Sequence, residues 1–141
     1  MEGGSVDAQA TRDGRRRRMA ASTGRRRVLV VDDDPGIRAM LADVLADEGY
    51  EVRGASDGRV GLALAAEGPP DVILLDYAMP VCSGPEFAAA YREGPPPHAP
   101  IVLITATGQA ARRAAEVRAD DFLGKPFELD HLLDLVQRYA D

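Results

Sequence analysis

The chain has 141 residues, 45% of them hydrophobic and 5% aromatic with no tryptophan, enough for one ordinary domain with an aliphatic core and too few for two. Its apolar runs fall far short of the ~20 residues of a membrane-spanning helix, no apolar leader opens it, and its one cysteine, Cys82, has no internal partner, so a soluble cytoplasmic protein is expected. The net charge of −6 is uneven: residues 1–27 hold eight Arg and three acids, a net of +5, leaving −11 for the rest, which argues against nucleic acid as the main ligand of the folded part.

Residues 1–24 are rich in Gly, Ala, Ser, Thr and Arg without apolar periodicity, and are expected to be a disordered basic tail, with 25–141 as the folded domain. The run Arg15, Arg16, Arg17 and Arg18 could touch nucleic acid, an anionic membrane or an acidic partner. Equally, it could be a solvated tail or lie upstream of a true start at Met19. Residues 28–31 (VLVV) form a β-branched apolar run, as in a parallel strand buried on both faces, and they lead into Asp32-Asp33-Asp34-Pro35. Asp34 is placed to cap a helix that begins at Pro35, carries Ile37, Met40, Leu41, Val44 and Leu45 on one face, and stops at Gly49. A second strand over 50–55 and a helix over 58–67 follow, the latter broken by Gly68-Pro69-Pro70. The third strand, 72–75, ends in Asp76. A helix is predicted over 86–92, a Pro-rich loop with His98 after it, and a fourth strand, 101–104, ending in Thr105. A helix over 110–117, a short strand over 121–123 and a closing helix over 129–139, with Leu129, Leu132, Leu133 and Val136 on one side, complete the chain. Five strand–helix alternations imply an α/β fold with a parallel sheet covered on both faces.

In open parallel sheets, ligands bind at the carboxyl ends of the strands. Asp32 and Asp33 end the first strand, Asp76 the third and Thr105 the fourth, and Lys125 follows the fifth. Three carboxylates at one edge repel one another and raise at least one pKa, a conflict that a hard divalent cation such as Mg²⁺ resolves with oxygen ligands. Such a frame suits phosphoryl chemistry: a carboxylate nucleophile, a hydroxyl donor and a compact ammonium for phosphoryl oxygens. Lys125 is the only lysine among 17 basic residues, so this position singles out a small ammonium where the chain otherwise uses Arg.

These residues resemble the receiver domains of two-component response regulators, through Val30-Val31-Asp32-Asp33-Asp34, Asp76-Tyr77-Ala78-Met79-Pro80 with Gly84, Ile104-Thr105-Ala106, and Asp120-Asp121-Phe122-Leu123-Gly124-Lys125-Pro126-Phe127. The likeness covers about residues 26–140. It implies a flavodoxin-like, doubly wound five-stranded parallel sheet of order 2-1-3-4-5, with helices on both faces, as in chemotaxis receivers. It further implies Asp76 as phosphoacceptor, Mg²⁺ held by Asp32, Asp33, Asp76 and the carbonyl of Ala78, and phosphoryl oxygens held by Thr105 and Lys125. Phe122 would be the aromatic switch that answers Thr105, and the small Ala106 would leave the pocket open to the donor. A receiver of this kind takes its phosphoryl group from a phosphohistidine on a sensor kinase or phosphotransfer protein, loses it by hydrolysis, and signals by a population shift to a protein partner rather than by turnover. With the chain ending soon after the fifth helix, a stand-alone receiver is expected. Two features depart from the family pattern: the stretch from Thr105 to Lys125 is about two residues short, and Arg118 stands where Gly is common at a helix end.

A haloacid-dehalogenase-type phosphohydrolase is the enzyme alternative, but it wants a second Asp where Ala78 stands. An adaptor working through the arginines of the tail and Arg25, Arg26 and Arg27 is the other. Cys82 is read as an ordinary loop residue, His98 and His131 as solvated, Phe122 alternatively as a core aromatic, and Asp34, Asp57, Asp71, Asp120 and Asp121 as caps and turn formers.

Overall fold

The computed structural model describes residues 24–141. Apart from Gly24, the segment 1–24, with Arg15, Arg16, Arg17, Arg18 and Met19, lies outside the described residues. Strands and helices alternate as β1 (Arg27–Val31), α1 (Pro35–Asp47), β2 (Glu51–Ala55), α2 (Gly58–Glu67), β3 (Val72–Asp76), α3 (Gly84–Glu93), β4 (Ile101–Ala106), α4 (Ala110–Val117), β5 (Asp121–Lys125) and α5 (Leu129–Ala140), with a 3₁₀ turn over Thr107–Gln109 before α4. The strands pair in parallel in the order β2-β1-β3-β4-β5, the doubly wound flavodoxin-like arrangement.

The sheet alternates its side chains between two cores. Val28, Val30, Val72, Leu74, Val102, Ile104 and Leu123 face α1 and α5, where Leu41, Leu45, Leu132, Leu135 and Val136 meet them. Leu29, Val31, Ile73, Leu75, Ile101 and Leu103 face the other side, against Phe87 and Ala88 of α3 and Ala114 and Val117 of α4. Continuous apolar strands follow from this double burial.

Helix starts obey local chemistry. Asp34 accepts from the N–H groups of Gly36 and Ile37, and Asp57 from those of Arg59 and Val60. Gly49, at φ +96°, ends the chain's passage out of α1. α3 begins two residues before its predicted start because Ser83 and Glu86 form a reciprocal capping box. β5 runs to Lys125 rather than stopping at Leu123, because backbone pairing continues through Thr105–Gly124 and Ala106–Lys125 after the apolar run ends. Lys125 therefore closes the strand instead of following it. Asp71 and Asp120 do more than form turns: their carboxylates accept the N–H of Arg27 and of Ile101, the first residues of β1 and β4.

Arg118 adopts a left-handed conformation at the end of α4, φ 60° and ψ 43°, which costs a non-Gly residue ~1 kcal/mol. Arg92 on α3 offsets this by donating to the carbonyls of Val117 and Arg118 at 2.6 and 2.7 Å.

Candidate functional site

The carboxyl ends of β1, β3, β4 and β5 converge on one edge. Strand alternation gives Asp32, Asp76 and Lys125 the same side, since each follows by one or two positions a residue whose side is known: Val31 and Leu75 face α2–α4, and Leu123 faces α1 and α5. The Lys125 ammonium lies 3.4 Å from Asp32 Oδ2 and 3.3 Å from Asp76 Oδ1. Both carboxylates are buried, at 2% and 7% exposure. Asp33 is exposed, yet it offers an oxygen that lies with those of Asp32 and Asp76 in a group spanning no more than 4.8 Å. The backbone of Asp34 donates to Asp32 Oδ1 at 2.9 Å, and Arg38 donates to the Asp32 carbonyl at 2.7 Å, so Asp32 is fixed from two directions.

Burial, and then repulsion from Asp32, push the Asp76 carboxyl up to about 6; Lys125 draws it down and Asp33 adds a smaller upward push. For Lys125, burial lowers the pKa, but the attraction of Asp32 and Asp76 outweighs it and the net direction is up. One ammonium thus faces two buried carboxylates and a third nearby. That surplus of hard, anionic oxygen, facing solvent through Asp33, fits a divalent cation of the Mg²⁺ type.

Ala78 is exposed in the loop after β3. Gly84 holds that loop: its N–H donates to the Tyr77 carbonyl at 2.8 Å, and a Cβ there would meet the Asp76 carbonyl oxygen at 2.6 Å. Thr105 is buried at 3% exposure, and its hydroxyl oxygen accepts from Arg113 Nη1 at 2.7 Å. Phe122 lies on β5 with 39% exposure and belongs to neither core, so the reading of it as a core aromatic is corrected: its neighbour Leu123 takes the inward position.

The two histidines set aside have ordinary surroundings. His98 Nε2 pairs with the Gly94 carbonyl at 2.9 Å, and His131 is exposed. Burial raises the Cys82 thiol, which opposes thiolate formation. Sequence reasoning passed over Arg113, whose guanidinium also lies 4.2 Å from the centre of the Tyr77 ring. Its spacing held the signal: position 113 is three after Ala110 and four before Val117, both buried.

Residues 28–137 match the sequence model of the response regulator receiver domain. The response regulator MprA of Mycolicibacterium vanbaalenii is 41% identical over 107 residues, 74% of this chain and 46% of that protein; the chain thus spans about half the length of this curated relative. Response regulator TrrA of Thermotoga maritima, solved in complex with Mg²⁺ and BeF, superposes with a TM-score of 0.71 at 34% identity, covering 81% of this chain and 98% of that one. The receiver domain of Ssk1 from Saccharomyces cerevisiae, solved with the histidine phosphotransfer protein Ypd1, gives 0.74 at 25% identity over 82% of this chain and 89% of that one.

Proposed function

The chain belongs to the response regulator receiver family of two-component signalling, and from that premise we propose that it accepts a phosphoryl group on Asp76 from a phosphohistidine of a sensor kinase or phosphotransfer protein. The observation that carries the reading is the pairing of one ammonium, Lys125, with two buried carboxylates, Asp32 and Asp76, at the carboxyl edge of the sheet. In the transfer, a carboxylate oxygen of Asp76 bonds to phosphorus while the P–N bond breaks and its electron pair returns to the imidazole. Hydrolysis later breaks the new P–O bond, releasing phosphate and restoring the carboxylate.

Asp32, Asp33, Asp76 and the Ala78 carbonyl are the residues that would hold Mg²⁺, which when bound neutralises charge gathering on the phosphoryl oxygens. Lys125 keeps its proton, by the direction of its pKa, and so can serve as a fixed cation for one phosphoryl oxygen. Thr105 would donate to another and, with Phe122, carry the change outward. Between transfer and hydrolysis the phosphoryl group stays on Asp76, and its presence there is the signal, so the protein acts as a switch rather than a turnover enzyme.

A protein donor also needs a surface beside the acceptor. Ile37, Met40, Pro126, Phe127 and Leu129 line an apolar depression next to Lys125, and Met40 is 39% exposed, which supports docking of a donor there. No helix among the described residues is long and apolar enough to cross a membrane; a cytoplasmic receiver that signals to a protein target completes the reading.

Intact-protein mass spectrometry after incubation with acetyl phosphate or a phosphorylated histidine donor tests it. One Mg²⁺-dependent phosphoryl adduct, absent from Asp76→Ala, is expected. A folded chain that takes no phosphoryl group from any donor, or takes one equally well without Asp76, would overturn the assignment.

A further inference from the structure

Thr105 does not share the side of the sheet used by the carboxylates and Lys125. Ile104 faces α1 and α5, so the next residue points toward α4. There Arg113 Nη1 donates to Thr105 Oγ1 at 2.7 Å. The same guanidinium lies over the Tyr77 ring at 4.2 Å, and the Tyr77 hydroxyl donates to Glu116 Oε1 at 2.8 Å. Tyr77 directly follows Asp76, while Arg113 and Glu116 are i, i+3 neighbours on α4. A circuit therefore joins the loop after β3, α4 and the end of β4.

A threonine hydroxyl can accept from one group and donate to another, but its oxygen occupies one place at a time. While the oxygen is held by a guanidinium on the α4 side, its reach toward the Asp76 side is opposed by a charge-assisted hydrogen bond, stronger than a neutral one. The stacking on Tyr77 keeps that guanidinium in position. We propose that Arg113 is a positioning residue that holds the Thr105 hydroxyl on the α4 side of the sheet, so that phosphoryl binding at Asp76 must first draw Thr105 from it. This rests on the phosphoacceptor reading of Asp76. Losing the bond frees the hydroxyl for the phosphoryl oxygen and releases α4 from β4 in the same event.

The test is a double-mutant cycle on the full chain, with Mg²⁺ and fluoroberyllate as the probe titrated by calorimetry. Arg113→Met keeps an unbranched apolar stem and removes the donor. It should tighten fluoroberyllate binding about tenfold, the factor set by ~1.4 kcal/mol; in the Thr105→Val background it should change binding by less than about twofold. A readout without metal accompanies it: NMR of the unliganded chain should show Arg113 guanidinium protons slowed in exchange, and Thr105→Val should abolish that protection. Weaker or unchanged binding in Arg113→Met, an equal effect in both backgrounds, or protection that survives Thr105→Val would overturn the role of Arg113 while leaving Asp76 as acceptor. An unsubstituted chain that binds no fluoroberyllate with Mg²⁺ would overturn the acceptor reading and this inference together.

Discussion

Asp76→Asn preserves the shape of the side chain and removes its charge, and it should stabilise the metal-free protein at neutral pH. In the folded chain the Asp76 carboxyl is raised from 3.8 to about 6, by burial first and the charge of Asp32 second, against the pull of Lys125. A folded pKa above the unfolded one means that the folded chain binds the proton more tightly, so stability is full below about pH 4, falls as pH rises, and levels off above about pH 6. At ~1.4 kcal/mol per pH unit the gap amounts to about 3 kcal/mol; relaxation of the site and the loss of one partner for Lys125 reduce the expected gain to about 1–3 kcal/mol. The assay is urea denaturation followed by circular dichroism, in chelator, from about pH 4 to 8. Subtracting the parent from Asp76→Asn cancels the titrations the two share. The difference should be near zero at the acid end and rise to its plateau near neutrality. A difference that is flat with pH, or an Asn variant less stable at neutral pH, would refute the reasoning.

Added Mg²⁺ should raise the melting temperature at about pH 7.5 and do much less at about pH 5, where it must displace a proton from Asp76; thermal scans at the two pH values decide this, and Asp33→Asn should weaken the metal effect about tenfold while changing metal-free stability by less than ~0.5 kcal/mol, because Asp33 is exposed. Gly84→Ala should destabilise by about 1–3 kcal/mol, measured by urea midpoint, since its new Cβ meets backbone at Asp76 and Tyr77 rather than a movable side chain. Arg118→Gly should stabilise by up to about 1 kcal/mol by relieving the left-handed backbone, whereas Arg92→Ala should destabilise by about 1–2 kcal/mol by removing two donors from the end of α4; chemical denaturation of both variants checks the pair.

The sheet was legible because strands buried on both faces must be apolar at every position, and 28–31, 72–75 and 101–104 are. Helices α2 and α4 begin and end where Gly58, Glu67, Ala110 and Val117 suggested, since caps and periodicity are local properties. The gathering of Asp32, Asp76 and Lys125 was legible for a topological reason: polar residues at the carboxyl ends of parallel strands share one edge of the sheet. What escaped depends on contacts distant in sequence. Asp71 and Asp120 resemble any turn aspartate until the strand starts they secure are in view. Arg113 resembles a solvated helix charge until Thr105, eight residues earlier, and Tyr77, from the loop after β3, are placed beside it. Arg118 stands out in the sequence where Gly is common at a helix end, but the fork from Arg92 that supports its left-handed backbone lies on a different helix.

The grip on α4 has a mechanical consequence. Its buried residues are two alanines and a valine, whereas α5 buries two leucines, a valine and an alanine. With ~0.8 kcal/mol per buried methylene, an alanine-faced helix has a shallow hydrophobic anchorage and few ridges to lock it against the sheet. Much of what fastens α4 is instead polar and comes from two guanidinium groups, one reaching from α3 to its last carbonyls and one reaching from the helix to β4. Its opening is thus a softer mode than that of α5, responsive to local charge and to salt, while α5 stays seated under conditions that loosen it.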